Sequence, residues 1–178
     1  METPEQQPFI LAGYETRFLQ DDDVPSLQIF LQNCTDYYEL VTGLPPGPSS
    51  AYELLKSLPE GKTLADKFVI GIFRNPKAMI GVLDTIQDYP RQSAWWLGLL
   101  LLDPKERGKG LGKQIYFAYE QWVARSGAEA VFLGVVARNE RACHFWKNLG
   151  FRTVETRPPR KNGGLEQAVL VMRRVVRR

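Results

Sequence analysis

The stretch from Ser93 to Ala137 constrains the fold more than any other part of the chain. An apolar run over 93–102 (SAWWLGLLLL) leads into Arg107-Gly108-Lys109-Gly110-Leu111-Gly112-Lys113, a turn with three alternating glycines. Behind it Leu111, Ile115, Ala118, Tyr119, Trp122 and Val123 fall at i, i+4, i+7, i+8, i+11 and i+12, one stripe at the helical period. Gly127 stands where that helix should stop, and 130–137 (AVFLGVVA) reads as a second buried strand. Strand, helix and strand in this order predict a right-handed crossover joining parallel neighbours.

The glycine turn also predicts a ligand. Alternating glycines let the backbone approach a bound group without Cβ clashes. A helix start presents unpaired N–H groups and a partial positive charge. Arg107, Lys109 and Lys113 add three cations. Together these make an anion site suited to a pyrophosphate. It is not the GxxxxGK[ST] nucleotide loop, because Gln114 follows Lys113, and in GxGxxG terms the third glycine comes one residue early.

The flanks fill in the architecture. Phe9 to Leu19 reads as extended, and Asp21-Asp22-Asp23 with Pro25 suits a helix start carrying Leu27, Phe30 and Leu31. Gly43 to Ser50 (GLPPGPSS) is a non-helical connector, followed by a short helix over 51–58. Phe68 to Arg74 and Ala78 to Ile86 form a predicted antiparallel hairpin, and 93–102 should be buried on both faces. Asn139 can cap a helix burying Ala142, Phe145, Trp146 and Leu149. Phe151 to Glu155 and Leu165 to Val175 close the sheet around a turn running from Pro158-Pro159 to Gly163-Gly164. The expected fold is α/β (α+β), a mixed and mostly antiparallel sheet with helices on both faces.

Composition narrows the class. The chain has 178 residues, which predicts one domain over 1–178 able to bury a core without disulfide or metal staples. Hydrophobic residues at 44% and charged ones at 24% argue against disorder. No apolar run approaches a membrane span, and the first residues, a loose end by their polar and proline content, lack the blocks of a secretory leader. With Cys34 and Cys143 far apart, a reduced cytoplasmic protein is expected. A single histidine, His144, leaves no multi-histidine metal site, so no metal is expected. The net charge of +3 hides a split: residues 1–66 hold 11 acidic and 3 basic side chains, whereas 67–156 hold 8 and 13. Such a split suits a protein handling two unlike ligands.

Two motifs carry a resemblance. Arg107-x-x-Gly110-x-Gly112 after Leu102-Asp103-Pro104 resembles the acyl-CoA motif of the GNAT N-acetyltransferase superfamily. Asn139, Ala142, Phe145, Trp146 and Gly150-Phe151 resemble its second motif, N-x-x-A-x-x-hydrophobic-Tyr-x-x-x-GF, except that Trp146 stands for the tyrosine. The resemblance implies six to seven strands and a central parallel pair that splays to hold CoA. It implies acetyl-CoA as cosubstrate and direct transfer to an amine of a small molecule, peptide or protein. Main-chain groups of Leu100, Leu101 and Leu102 would pair with the pantetheine arm like an added strand. Main-chain N–H groups of Gly108, Lys109, Gly110, Leu111, Gly112 and Lys113 would hold the pyrophosphate. Asn139 would contact the arm and Phe145 would pack on it. Lys109, Lys113 or Arg141 could meet the 3′-phosphate.

The chemistry has a gap in this sequence. The family tyrosine protonates the leaving thiolate, and the indole of Trp146 can donate a hydrogen bond but not a proton. Asp84 is the leading general base, with Asp88 and Tyr89 behind it. The acceptor pocket should include Tyr37, Tyr38 and Glu39 of the run starting at Asp36, with Trp95 and Trp96 facing it. Aromatics beside carboxylates suit a cationic amine. A CoA-binding sensor without catalysis is the alternative reading. Nucleic-acid binding through Arg173, Arg174, Arg177 and Arg178 is disfavoured, since no aromatics interleave them. No membrane partner is expected, and a homodimer stays open.

Overall fold

A computed structural model describes residues 7–176 of the chain. Arg177, Arg178 and most of the predicted loose N-terminal end lie outside the described residues. One seven-stranded sheet organises the fold. Its strands are β1 (Glu15–Phe18), β2 (Lys67–Phe73), β3 (Met79–Gln87), β4 (Ala94–Leu102), β5 (Ala130–Val136), β6 (Arg152–Asn162) and β7 (Leu165–Val175). They lie in the order β1-β2-β3-β4-β5-β7-β6. Every neighbouring pair is antiparallel except β4 with β5. The helices are α1 (Val24–Asn33), α2 (Thr35–Thr42), α3 (Ser50–Lys56), α4 (Leu111–Arg125) and α5 (Glu140–Asn148).

Strand periodicity divides the core in two. On β2, Ile70 and Ile72 pack with Ile115, Tyr119 and Trp122 of α4, while Val69 and Phe73 pack with Leu27, Phe30 and Leu31 of α1 and Leu55 of α3. Side chains that alternate across a strand reach opposite faces, so the sheet is covered on both sides. The predicted α4 stripe is buried, with Ala118 half-buried, and Gly127 follows the helix at φ 84°.

Three expectations are corrected. The extended segment over 9–19 narrows to β1 at 15–18, with Phe9 and Leu11 buried ahead of it and one bridge from Leu11 to Tyr14. Pro158-Pro159 is not part of the turn. β6 runs through it as a sheet edge with a register shift between Arg157 and Arg160, a place where missing N–H donors are tolerated. The turn proper is Gly163-Gly164. Finally, β4 is not buried throughout. Ala94, Trp95 and Leu97 are buried, but Gly98 is exposed and Leu99 and Leu100 are half-buried.

Candidate active site

The half-buried end of β4 is where the site begins. Pairing with β5 runs from Ala94↔Ala130 to Leu97↔Leu133 and stops there, although β5 continues to Val136 against β7. From Gly98 onward the β5-facing edge of β4 has no strand partner among the described residues. On the other edge the register with β3 slips: Thr85 pairs with Leu97 and Asp84 with Leu99, leaving Gly98 as the extra residue of a bulge. A bulge bends a strand and increases its twist. Here it turns the end of β4 away from β5.

A cleft of about 670 Å³ follows that splay down to the glycine turn. Leu100, Leu101 and Leu102 form one wall, Gly108, Gly110, Gly112 and Lys113 the floor, and Asn139, Arg141, Phe145 and Trp146 of α5 the facing wall. Gly108 (φ 78°) and Gly110 (φ 83°) adopt the left-handed conformation that other residues avoid. Gly110 caps α4 with no side-chain hydrogen bond, so the first N–H groups of the helix stay free for an anion. A Cβ on Gly112 would come within 3.4 Å of the Phe145 ring, so α4 and α5 meet closely there.

Not every expected residue reaches the cleft. Leu111 is 4% exposed and packs in the core, so only its N–H can serve a ligand. Lys109 is exposed and does not border the cleft. Arg107 borders it, but its guanidinium is already engaged. Both terminal nitrogens meet the Asp36 carboxylate of α2, and Nε donates to the Leu102 carbonyl at 2.9 Å. The guanidinium holds the Asp36 carboxyl below its ordinary value. Asn139 accepts the Ala142 N–H at 3.1 Å as the cap of α5, so its carbonyl oxygen is structural. Asn148 and Leu149 also border the cleft; neither was anticipated there, since both fall at unspecified positions of the second motif.

A second cavity of about 160 Å³ occupies the splay itself, with Gly98, Leu99 and Leu100 facing Leu133, Gly134 and Val135. Tyr37 of α2 borders both this cavity and the cleft. Expected on the acceptor side, Tyr37 instead stands on the cofactor side. Burial pushes its phenol up to about 12.

An open cleft of about 450 Å³ lies on the opposite face of β4. Tyr38, Tyr89 and Trp96 supply its aromatic surface, and Glu53, Asp84 and Lys67 its charges. Gly98 borders both this cleft and the splay cavity. Asp84 is 7% exposed, and Lys67 Nζ lies 2.7 Å from its Oδ1. Its Oδ2 points at Gly98, where a Cβ would come within 2.6 Å. Glycine at this position therefore makes room for the carboxylate. Burial raises the Asp84 carboxyl, and the Lys67 ammonium opposes that without overcoming it.

Other candidates are displaced. Trp95 is 1% exposed, stacked on Phe68 at 5.5 Å and edge-on to Trp122 at 5.1 Å, so it is core and not acceptor surface. Its neighbour Trp96 faces the open cleft. Glu39 is exposed and borders neither cleft. Asp88 accepts the Ser93 N–H at 2.7 Å within a turn and does not border the open cleft. Glu53 and Lys67 were missed, because only the fold brings α3 and β2 to β4. Arg174 is buried in an ion pair with Glu120 at 2.6 Å, so it is not available to a phosphate backbone. Among the described residues no group of His, Cys, Asp or Glu could hold a metal ion, and no helix is long and apolar enough to cross a membrane.

Known proteins share this fold. The family model for the GNAT acetyltransferases matches residues 34–151. No curated protein sequence matches the chain. An acetyltransferase from Thermus thermophilus superposes with a TM-score of 0.72 at 23% identity, covering 91% of this chain and 96% of that one. Spermidine N-acetyltransferase from Vibrio cholerae, solved with CoA and spermine, gives 0.72 at 16% identity over 93% and 96%. A GCN5-related N-acetyltransferase from Kribbella flavida gives 0.67 at 20% over 92% and 98%. These likenesses are of fold, and with the motif-bearing segment matched by the family model over most of the chain, this protein belongs to the GNAT acetyltransferase family.

Proposed function

We propose that this chain transfers an acetyl group from acetyl-CoA to a primary amine. One observation carries the reading: Gly98 is a wall of both the splay cavity and the open cleft. A thioester held along the β4 edge and an amine entering from the far face would meet there. The phosphate end fits the free N–H groups of α4 with Lys113 and Arg141 beside them. The pantetheine amides fit the unpaired edge over 98–102.

The open cleft sets the acceptor. Lys67 neutralises Asp84, which leaves Glu53 as the spare negative charge beside three aromatic rings. That suits a monocationic amine on an apolar or flat body. A carboxylate must take the proton of the arriving ammonium before nitrogen can attack. Asp84 would do this through Oδ2, a reading supported by Oδ1 holding Lys67 while Oδ2 faces Gly98. Main-chain N–H groups at the bulge would polarise the thioester carbonyl.

Trp146 favours a second reading, a CoA-binding sensor, since the tryptophan cannot protonate the thiolate. Acetyl-CoA titration followed by calorimetry tests the shared part of both. Saturable binding is expected, lost in Gly110→Asp, whose charge repels the pyrophosphate; the φ of 83° strains any side chain there, so the variant should lose about 1–2 kcal/mol of stability and still fold. Equal affinity in the variant would contradict the placement. Amine-dependent thiol release then separates enzyme from sensor.

A further inference from the structure

We propose that the Tyr37 hydroxyl, on α2 where the cofactor cleft meets the splay, protonates the thiolate that leaves when the acetyl group is transferred. This rests on the acetyl-transfer reading above. The wall shared by the two cavities is made by Tyr37, Leu100, Asn139, Ala142 and Trp146. The thioester sulfur must pass through that junction to place the acetyl group beside Gly98. Of the five side chains only the phenol can lose a proton as an oxygen acid. An amide and an indole can hydrogen-bond to sulfur but cannot protonate it.

The phenol is also in the right state. It makes no hydrogen bond among the described residues, and a phenol, raised further here by burial, carries its proton at neutral pH. The helix that carries it is fixed at both ends. Asp36 at its start is gripped by Arg107 of the glycine turn. At its other end Gln167 Nε2 donates to the Leu40 and Val41 carbonyls at 3.1 and 2.7 Å, and the Gly164 N–H to the Thr42 carbonyl at 2.7 Å. A donor held this way loses little freedom when it acts. The adjacent Tyr38, edge-on to Tyr37 at 5.6 Å, borders the acceptor cleft instead, so the two neighbours serve different mouths of the site.

The protons balance. The ammonium gives one proton to Asp84 and thence to water. The neutral nitrogen forms a bond to the thioester carbon, and the C–S bond breaks with its electron pair going to sulfur. Sulfur takes the Tyr37 proton, and the phenolate recovers the proton that nitrogen sheds as it becomes an amide, through water. One ammonium and one thioester yield one amide, one thiol and one released proton.

The test measures thiol release from acetyl-CoA over a panel of primary amines for the unsubstituted protein, Tyr37→Phe, Trp146→Tyr and the double variant. Tyr37→Phe keeps the ring and should lower kcat roughly 100-fold, the low end of general acid catalysis. The KM for acetyl-CoA should stay within about twofold, since a hydroxyl acting on the leaving group contributes little to ground-state binding. Trp146→Tyr in the Tyr37→Phe background should restore much of kcat by supplying a phenol from α5. Full kcat in Tyr37→Phe overturns the proposal. So does a loss that comes with a matching rise in KM and no rescue, which marks a structural role. No amine-dependent release by the unsubstituted protein overturns the acetyl-transfer reading itself, and this proposal with it.

Discussion

Asp84 and Asp88 lie four residues apart near one end of β3, and their surroundings give them different work. Asp88 closes a turn through the Ser93 N–H. Asp84 is enclosed, ion-paired on one oxygen and open toward Gly98 on the other. A carboxyl raised by burial must lose its proton before it can act as a base. Turnover should therefore rise with pH through a value above the ordinary carboxylate range of about 3.9. Asp84→Asn should abolish that acid limb in a pH–rate profile. It also leaves the Lys67 ammonium, 3% exposed, without its counter-charge, so stability should fall by about 3 kcal/mol in a denaturant titration. The raised carboxyl itself favours the fold below its unfolded value and loses that advantage as pH rises through the folded one. Trp95→Ala is predicted to act differently, costing about 3–5 kcal/mol through a cavity in the aromatic cluster. At temperatures where the variant stays folded, its affinity for acetyl-CoA should be unchanged.

At the scale of elements, the bulge in β4 explains what the sequence showed and what it hid. The glycine turn, α4 and the cap of α5 were legible because spacing within one helix or turn fixes which side chains share a face. The two sides of β4 were not. Trp95 and Leu97 pack on the α4 face, yet past Gly98 it is Leu100 and Leu102 that do so, while Leu99 and Leu101 turn to the α1 face. One extra residue reverses the parity of the strand. A run of apolar residues carries no mark of where that happens, so the choice between Trp95 and Trp96 could not be made from the sequence. The position of α2 was equally hidden, because its anchors come from 71 residues away at Arg107 and 127 away at Gln167. Gln167→Ala removes the donor to the Leu40 and Val41 carbonyls. It should raise the KM for acetyl-CoA severalfold while costing about 1 kcal/mol of stability, measured by steady-state kinetics and denaturant unfolding together.

Across the whole molecule, the charge split takes on a narrower meaning. The acidic first third does not form one acidic pocket. Asp21 meets Lys56, Asp23 meets Arg17, Asp36 meets Arg107 and Asp66 meets Lys62, so local ion pairs engage four of its carboxylates away from the open cleft. Within the open cleft Glu53 is its sole contribution among the described residues. The basic middle is different, because Lys113 and Arg141 border the cofactor cleft. Binding of an anionic cosubstrate there should weaken as salt rises, since exposed charges are screened over about 8–10 Å near physiological ionic strength. The measurement that bears most directly on the whole account is the rate of thiol release from acetyl-CoA with and without primary amines. Release should depend on the amine, exceed background hydrolysis and match the N-acetylated product one for one, with monocationic aromatic amines among the best acceptors. Tight acetyl-CoA binding with no amine-dependent release would contradict it.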